Sequence, residues 1–188
     1  MKSTIQKKRN LSLGKKVLIS FIILLMAAPI FAQSSFDKFD GQDDVTSIIV
    51  NRKMFDLMSK VKVDVSDKEA QQYFNLIKKL DNLKVFTTSS TRVTNEMKST
   101  ADKYIKTAGL EELMRINDSG KNIKIMVKSG AGDTQIKELL MFIEGSGKAN
   151  ETVLMSLTGN FDLNEISVLT DKMRIPGGNE LKKAAKNK

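Results

Sequence analysis

Hydrophobic positions fall into three successive rhythms along the chain. The first is an unbroken apolar run, Val17 to Ala28, behind the basic stretch MKSTIQKKRNLSLGKK and ahead of Pro29-Ile30-Phe31-Ala32. A basic start, a short apolar block and a small residue before the cut make the layout of a secretory signal peptide. Crossing a bilayer takes about 20 apolar residues, more than this run supplies. Residues 1–32 are therefore read as a cleaved export signal and the protein as periplasmic or extracellular. No cysteine follows the signal to carry a lipid, so no stable membrane anchor is expected after cleavage.

The second rhythm is helical. After a polar lead-in, residues 33–43 (QSSFDKFDGQD), expected to dock by Phe36 and Phe39, the β-branched run Val45 to Val50 predicts a strand. Met54, Phe55, Met58 and Val61 then recur at helical spacing. Ser66-Asp67-Lys68-Glu69 has the capping-box pattern, the Ser66 hydroxyl accepting from the Glu69 amide. Behind it Ala70, Tyr73, Phe74, Ile77 and Leu80 form one stripe. Leu83 to Ser89 predicts a strand. A further helix carries Val93, Met97, Ala101, Tyr104, Ile105 and Ala108 on one face and stops at Gly109.

The third rhythm has period two. Glu112 to Asn117 leads through Asp118-Ser119-Gly120-Lys121 into Ile123, Ile125 and Val127, which alternate with Lys124 and Lys128, a hairpin signal. Ile136 to Ile143 and the alternating Val153, Met155 and Leu157 supply two more strands, so the later half predicts an antiparallel meander. Asp162 and Glu165 form another capping box, followed by Leu163, Ile166, Leu169 and Met173 on a last helix that Pro176-Gly177-Gly178 stops. The expected fold is α+β: a two-layer sandwich with a mostly antiparallel sheet and helices packed on one face. Residues 44–175 are read as a single domain and 176–188 as a basic flexible tail.

Charge adds less than it first suggests. The formal net charge is +9, but Lys2, Lys7, Lys8, Arg9, Lys15 and Lys16 lie in the export segment and Lys182, Lys183, Lys186 and Lys188 in the tail. What lies between is about neutral. Aromatic residues are 6% of the chain and tryptophan is absent, leaving little for base stacking, so no nucleic-acid partner is expected.

The chain has no cysteine and no histidine. That excludes disulfides, zinc sites of the usual Cys/His kind, and Ser-His-Asp or Cys-His catalysis. Asp37, Asp40, Asp43 and Asp44 cluster in FDKFDGQDD, but the acids do not alternate as an EF-hand loop requires. The segment reads as a solvated, turn-rich lead-in, with calcium binding as the alternative. Gly145-Ser146-Gly147-Lys148 lacks the earlier phosphate-loop glycine, whose place Phe142 holds, and Ala149 stands where Ser or Thr belongs. It reads as a loop, and Gly130-Ala131-Gly132 as a turn. No cofactor and no catalytic residue is assigned.

Eight methionines follow the export segment: Met54, Met58, Met97, Met114, Met126, Met141, Met155 and Met173. Most fit a core that uses thioethers to fill irregular space. Met126 is out of phase with Ile125 and Val127 and shares a face with Lys124 and Lys128. Lys124, Met126 and Lys128 are accordingly the candidate partner-facing residues.

At FDKFDGQDDVTSIIVNRKMFDLM, and again at VLMSLTGNFDLNEISVLTDKM, the sequence resembles the domain of unknown function 4252, a family of small exported proteins from Bacteroidetes bacteria. The resemblance covers roughly residues 36–175. It implies an envelope location and supplies no catalytic residues; many members look lipid-anchored, whereas this chain lacks the cysteine. The expected function is a non-enzymatic interaction or accessory module with an envelope protein partner. The alternatives are a binder of a small apolar or lipidic ligand, which needs an internal cavity, and a carboxylate-based hydrolase, which needs two acids converging in a cleft.

Overall fold

The computed structural model describes residues 34–61, 68–118, 120–132, 134–146 and 150–166. Six antiparallel strands form one sheet: β1 (Thr46–Asn51), β2 (Leu80–Thr88), β3 (Glu111–Asp118), β4 (Lys121–Ser129), β5 (Gln135–Ser146) and β6 (Glu151–Asp162), in the spatial order β1-β2-β6-β5-β4-β3. β3 to β6 run as the expected meander, and β2 then β1 extend it beyond β6. Among the described residues, three helices join the strands: α1 (Arg52–Met58), α2 (Lys68–Ile77) and α3 (Thr91–Ala108). A 3-10 segment, Ser34–Phe39, precedes the sheet, and a shorter one, Leu163–Glu165, follows it.

The helix boundaries have local causes. Asn51 ends β1 and caps α1, its side chain accepting from the Met54 amide at 3.0 Å. Gly109 ends α3 in the left-handed region at φ 67°, and the Leu110 amide closes back on the Ile105 carbonyl at 3.2 Å. Asp162 and Glu165 form the expected capping box. The described turn there runs only to Glu165; Leu169, Met173, the Pro176 stop and the tail lie outside the described residues, as does Ser66 of the earlier capping box.

The class is the one expected, an α+β fold with an antiparallel sheet. The placement of the helices differs: they cover both faces of the sheet. The first face carries Leu83, Val85, Ile123, Ile125, Leu139, Met141, Ile143, Val153, Met155 and Leu157, packed with Phe55 of α1 and Leu76 and Ile77 of α2. The second face carries Phe86, Met126, Leu140, Phe142 and Leu154, the positions that alternate with those on the paired strands. Over it lie α3, which buries Val93, Met97, Ala101 and Tyr104, and the first 3-10 segment. The reason is that the central strands are apolar on both sides. Leu139 to Ile143 is five consecutive buried hydrophobic residues, and a single layer of helices would leave half of them wet. Each such side chain gains about 1.5–3 kcal/mol on burial.

Phe36 and Phe39 dock the lead-in segment as expected. Both are buried, with Phe36 edge-on to Tyr104 at 5.0 Å between ring centroids and Phe39 against Phe86 at 5.8 Å. Asp37 between them pairs with the buried Lys84 of β2.

Candidate functional site

The three residues singled out on β4 do not form an open face. Met126 is 6% exposed, because α3 crosses that side of the sheet. Lys124 donates to Asp102 of α3 at 3.1 Å, and only Lys128, paired in register with Glu138, remains exposed. The period-two pattern correctly put Met126 opposite Ile125 and Val127. It carried no information on which face the helix following β2 would cover.

Beneath α3 lies a buried polar group that the sequence did not single out. The Tyr104 hydroxyl donates to Glu138 at 2.7 Å. Burial raises the Glu138 carboxyl above its ordinary range, against the Tyr104 bond and the Lys128 charge, which both lower it. Burial, and then the bond to Glu138, push the Tyr104 phenol far up. A phenol so held stays a donor, and Glu138 is 6% exposed. The pair ties α3 to β5.

Two clefts are lined mainly by polar and charged side chains. One of about 220 Å³ is lined by Lys98, Arg115, Asn117, Asn122, Lys124, Phe142 and Glu144. Its cations are already engaged: Lys98 with Glu144 at 2.9 Å, Arg115 with Glu112, and Lys124 with Asp102. One of about 540 Å³ lies along Asn95, Lys98, Ser99, Asp102, Lys103 and Lys106 of α3. A lipidic ligand needs an apolar-lined cavity of about 300 Å³ or more. The methionines that would line one inside, Met97, Met141 and Met155, are fully buried in packed side chains. Three of the four lead-in acids have different partners. Asp37 pairs with Lys84, Asp40 accepts from Ser47 at 2.5 Å, and Asp44 lies 3.7 Å from Arg92. Among the described residues, no three His, Cys, Asp or Glu side chains come together as metal ligands.

The prominent surface feature is apolar. Ile48 is 45% exposed, Ile49 42%, Met54 50%, Leu57 54% and Val61 60%. They lie on β1, on α1 and just after it, at one edge of the sheet. The two edges contrast. β3 presents Glu111, Glu112, Arg115 and Asp118 and is interrupted by a bulge between Glu112 and Met114. Those are the devices that keep an edge strand from pairing with another chain. β1 reads TSIIVN, has no charge and no proline, and pairs with β2 without a register shift. The absence of charge from Thr46 to Asn51 was the sequence signal, although nothing in sequence alone placed that strand at an edge.

The family model for a domain of unknown function, DUF4252, matches residues 39–169. The chain belongs to the DUF4252 family. No curated protein and no solved structure matches it. The matched residues run from Phe39, at the end of the first 3-10 segment, past the last strand, and so contain the whole DUF4252 sheet together with the exposed β1–α1 edge. No helix among the described residues is long and apolar enough to cross a membrane.

Proposed function

We propose that this DUF4252 protein is an exported, non-enzymatic interaction module of the cell envelope, and that it meets its partner through the β1–α1 edge. One observation carries the reading: large hydrophobic side chains, each two-fifths or more exposed, line an uncharged edge strand on both of its faces, Ile48 on one and Ile49 on the other, and continue along the helix after it in Met54 and Leu57. Scattered exposed hydrophobics are ordinary, whereas several of them along one uncharged, unprotected strand edge mark a contact surface. The absence of histidine and cysteine and the burial of the Tyr104–Glu138 pair support the non-enzymatic part. The basic and apolar layout of residues 1–32 supports export.

The test is site-specific photo-crosslinking in intact cells, with the probe at Leu57 or, as control, at the exposed Ser129 on β4. The reading expects a discrete crosslinked product from Leu57 and none from Ser129. Equal background from both positions would contradict it. Fractionation with N-terminal sequencing of the same protein checks export, the expected start being Gln33.

A further inference from the structure

The second face of the sheet carries a polar array between α3 and the β3–β4 hairpin, at the far end of the strand order from β1. Strand register builds it. Arg115 of β3, Lys124 of β4 and Phe142 of β5 are paired across one row, and Asn117, Asn122 and Glu144 across the next. Residues paired in register share a face, so these six positions from three strands line the 220 Å³ cleft together. Lys98 and Asp102, one turn apart on α3, reach down to Glu144 and Lys124 and hold the helix beside it. We propose that this cleft binds one neutral sugar ring, free or at the end of a glycan. The site is separate from the β1–α1 edge and does not depend on it.

Charge selects a neutral ligand. The cations Lys98, Arg115 and Lys124 meet the acids Glu144, Glu112 and Asp102 one for one. An anion would have to pull a cation from its carboxylate, and a new pair at so wet a site returns little for the one it breaks. What the ion pairs leave over is hydrogen-bonding capacity. Glu112 takes Nε and Nη2 of Arg115, so the Nη1 hydrogens are left over. Lys124 gives Asp102 one of its three donors, at 3.1 Å. The two Glu144 oxygens accept from Lys98 at 3.1 and 2.9 Å, and each keeps a further lone pair. Among the described residues, no side-chain bond joins Asn117 or Asn122 to another group, and each amide presents a donor and an acceptor together. Neighbouring hydroxyls, which donate and accept at once, are the ligand groups that match this set.

The two asparagines are also out of place on local grounds. Asparagine is disfavoured in strands, and here two stand opposite one another in a ladder. Such breaches of local preference concentrate at functional sites. Phe142 gives the floor an apolar patch suited to the C–H face of a sugar ring. Volume sets the size: about 220 Å³ lies below the roughly 300 Å³ at which drug-sized pockets begin, so one ring fits and a lipid chain does not.

The test is titration of the isotope-labelled, purified protein with glucose, galactose, mannose and N-acetylglucosamine, followed by amide NMR. Glucuronate and inorganic phosphate serve as anionic comparisons. At least one neutral sugar should shift the signals of Arg115, Asn117, Asn122, Lys124 and Glu144 saturably, in the millimolar range, and leave Thr46–Asn51 unmoved. Binding should be the same in low and high salt, because no net charge is neutralised. Asn117→Ala and Asn122→Ala should each weaken it about three- to tenfold while the spectrum stays that of a folded protein. Lys128→Ala, outside the cleft, should leave it unchanged. The methyl glycoside of the bound sugar tells a glycan end, which still binds, from a free sugar, which does not; either result bears the proposal out. No saturable shift from any of the four sugars overturns it. So do tighter, salt-sensitive shifts from glucuronate or phosphate, which would make the cleft an anion site, and so does full affinity in both asparagine variants. The crosslinking test at Leu57 is independent of all these outcomes.

Discussion

Replacing Gly159 with alanine tests how tightly the β2–β6 pairing is specified. At this point the register shifts between Leu80 and Asn82, and the backbones of the two strands come together. A Cβ on residue 159 would sit 2.3 Å from the Lys79 carbonyl oxygen and 2.9 Å from the Leu80 Cα, both of them backbone atoms. Neither can rotate away as a side chain would. The next residue donates to the same carbonyl, Asn160 N–H to Lys79 O at 2.9 Å, so relieving the clash lengthens or breaks that bond. Overpacking of this kind costs about 1–3 kcal/mol. A lost backbone hydrogen bond adds about 0.5–1.5 kcal/mol. The stiffer unfolded chain returns about 0.4–1 kcal/mol. The net expectation is a loss of about 2–3 kcal/mol. Urea unfolding followed by circular dichroism reads it directly. Gly132→Ala is the control: its Cβ would meet only the Gln135 side chain at 3.5 Å, and the expected change is under about 0.5 kcal/mol. A Gly159→Ala midpoint equal to wild type would refute the close approach and, with it, the register there.

Other consequences are equally direct. Phe36→Ala removes a ring 1% exposed and its edge contact with Tyr104, and should cost about 3–5 kcal/mol in the same assay; a loss under about 1 kcal/mol would mean the segment Ser34–Phe39 is not docked. Met126→Lys places a charge beneath α3 and should cost about 2 kcal/mol or more, against under about 0.5 for Lys128→Ala; equal small effects would restore that face as an open surface. Glu138 gives a pH dependence whose sign is fixed. Its folded pKa is raised, so below the ordinary value of 4.5 both states hold the proton, and as pH rises through the folded pKa the stability it contributes is lost. Glu138→Gln keeps an acceptor for Tyr104 and removes that loss. It should match wild type near pH 4 and exceed it at mildly alkaline pH by urea unfolding; a constant gap, or one that closes as pH rises, would contradict the assignment.

Much of this architecture was legible because local pattern and tertiary structure agree. The α3 stripe Val93, Met97, Ala101 and Tyr104 is buried, and Gly109 ends the helix where the sequence placed its stop. The hairpin through Gly120, which takes φ 88°, and the strand positions Ile123, Ile125 and Val127 follow the two-residue period. Helices on both faces were also written in the chain, in a signal easily passed over. Leu139-Leu140-Met141-Phe142-Ile143 does not alternate, and Leu154 breaks the alternation of Val153, Met155 and Leu157. A strand apolar on both sides needs two covers. What sequence could not supply is long-range placement. That β1 lands at an edge depends on β2 pairing with β6, and that Met126 is covered depends on where α3 crosses. The exposed apolar edge was missed for the same reason: exposure of Ile48 and Ile49 is a property of strand order, not of the residues.

The most direct test of the β1 edge is amide hydrogen exchange of the purified protein at increasing protein concentration, read by mass spectrometry over Thr46–Asn51 and Glu111–Asp118. Pairing through β1 slows exchange in the first segment as concentration rises and leaves the charged, bulged β3 edge unchanged. Exchange in Thr46–Asn51 that is independent of concentration, or slowing at β3 instead, would contradict the account.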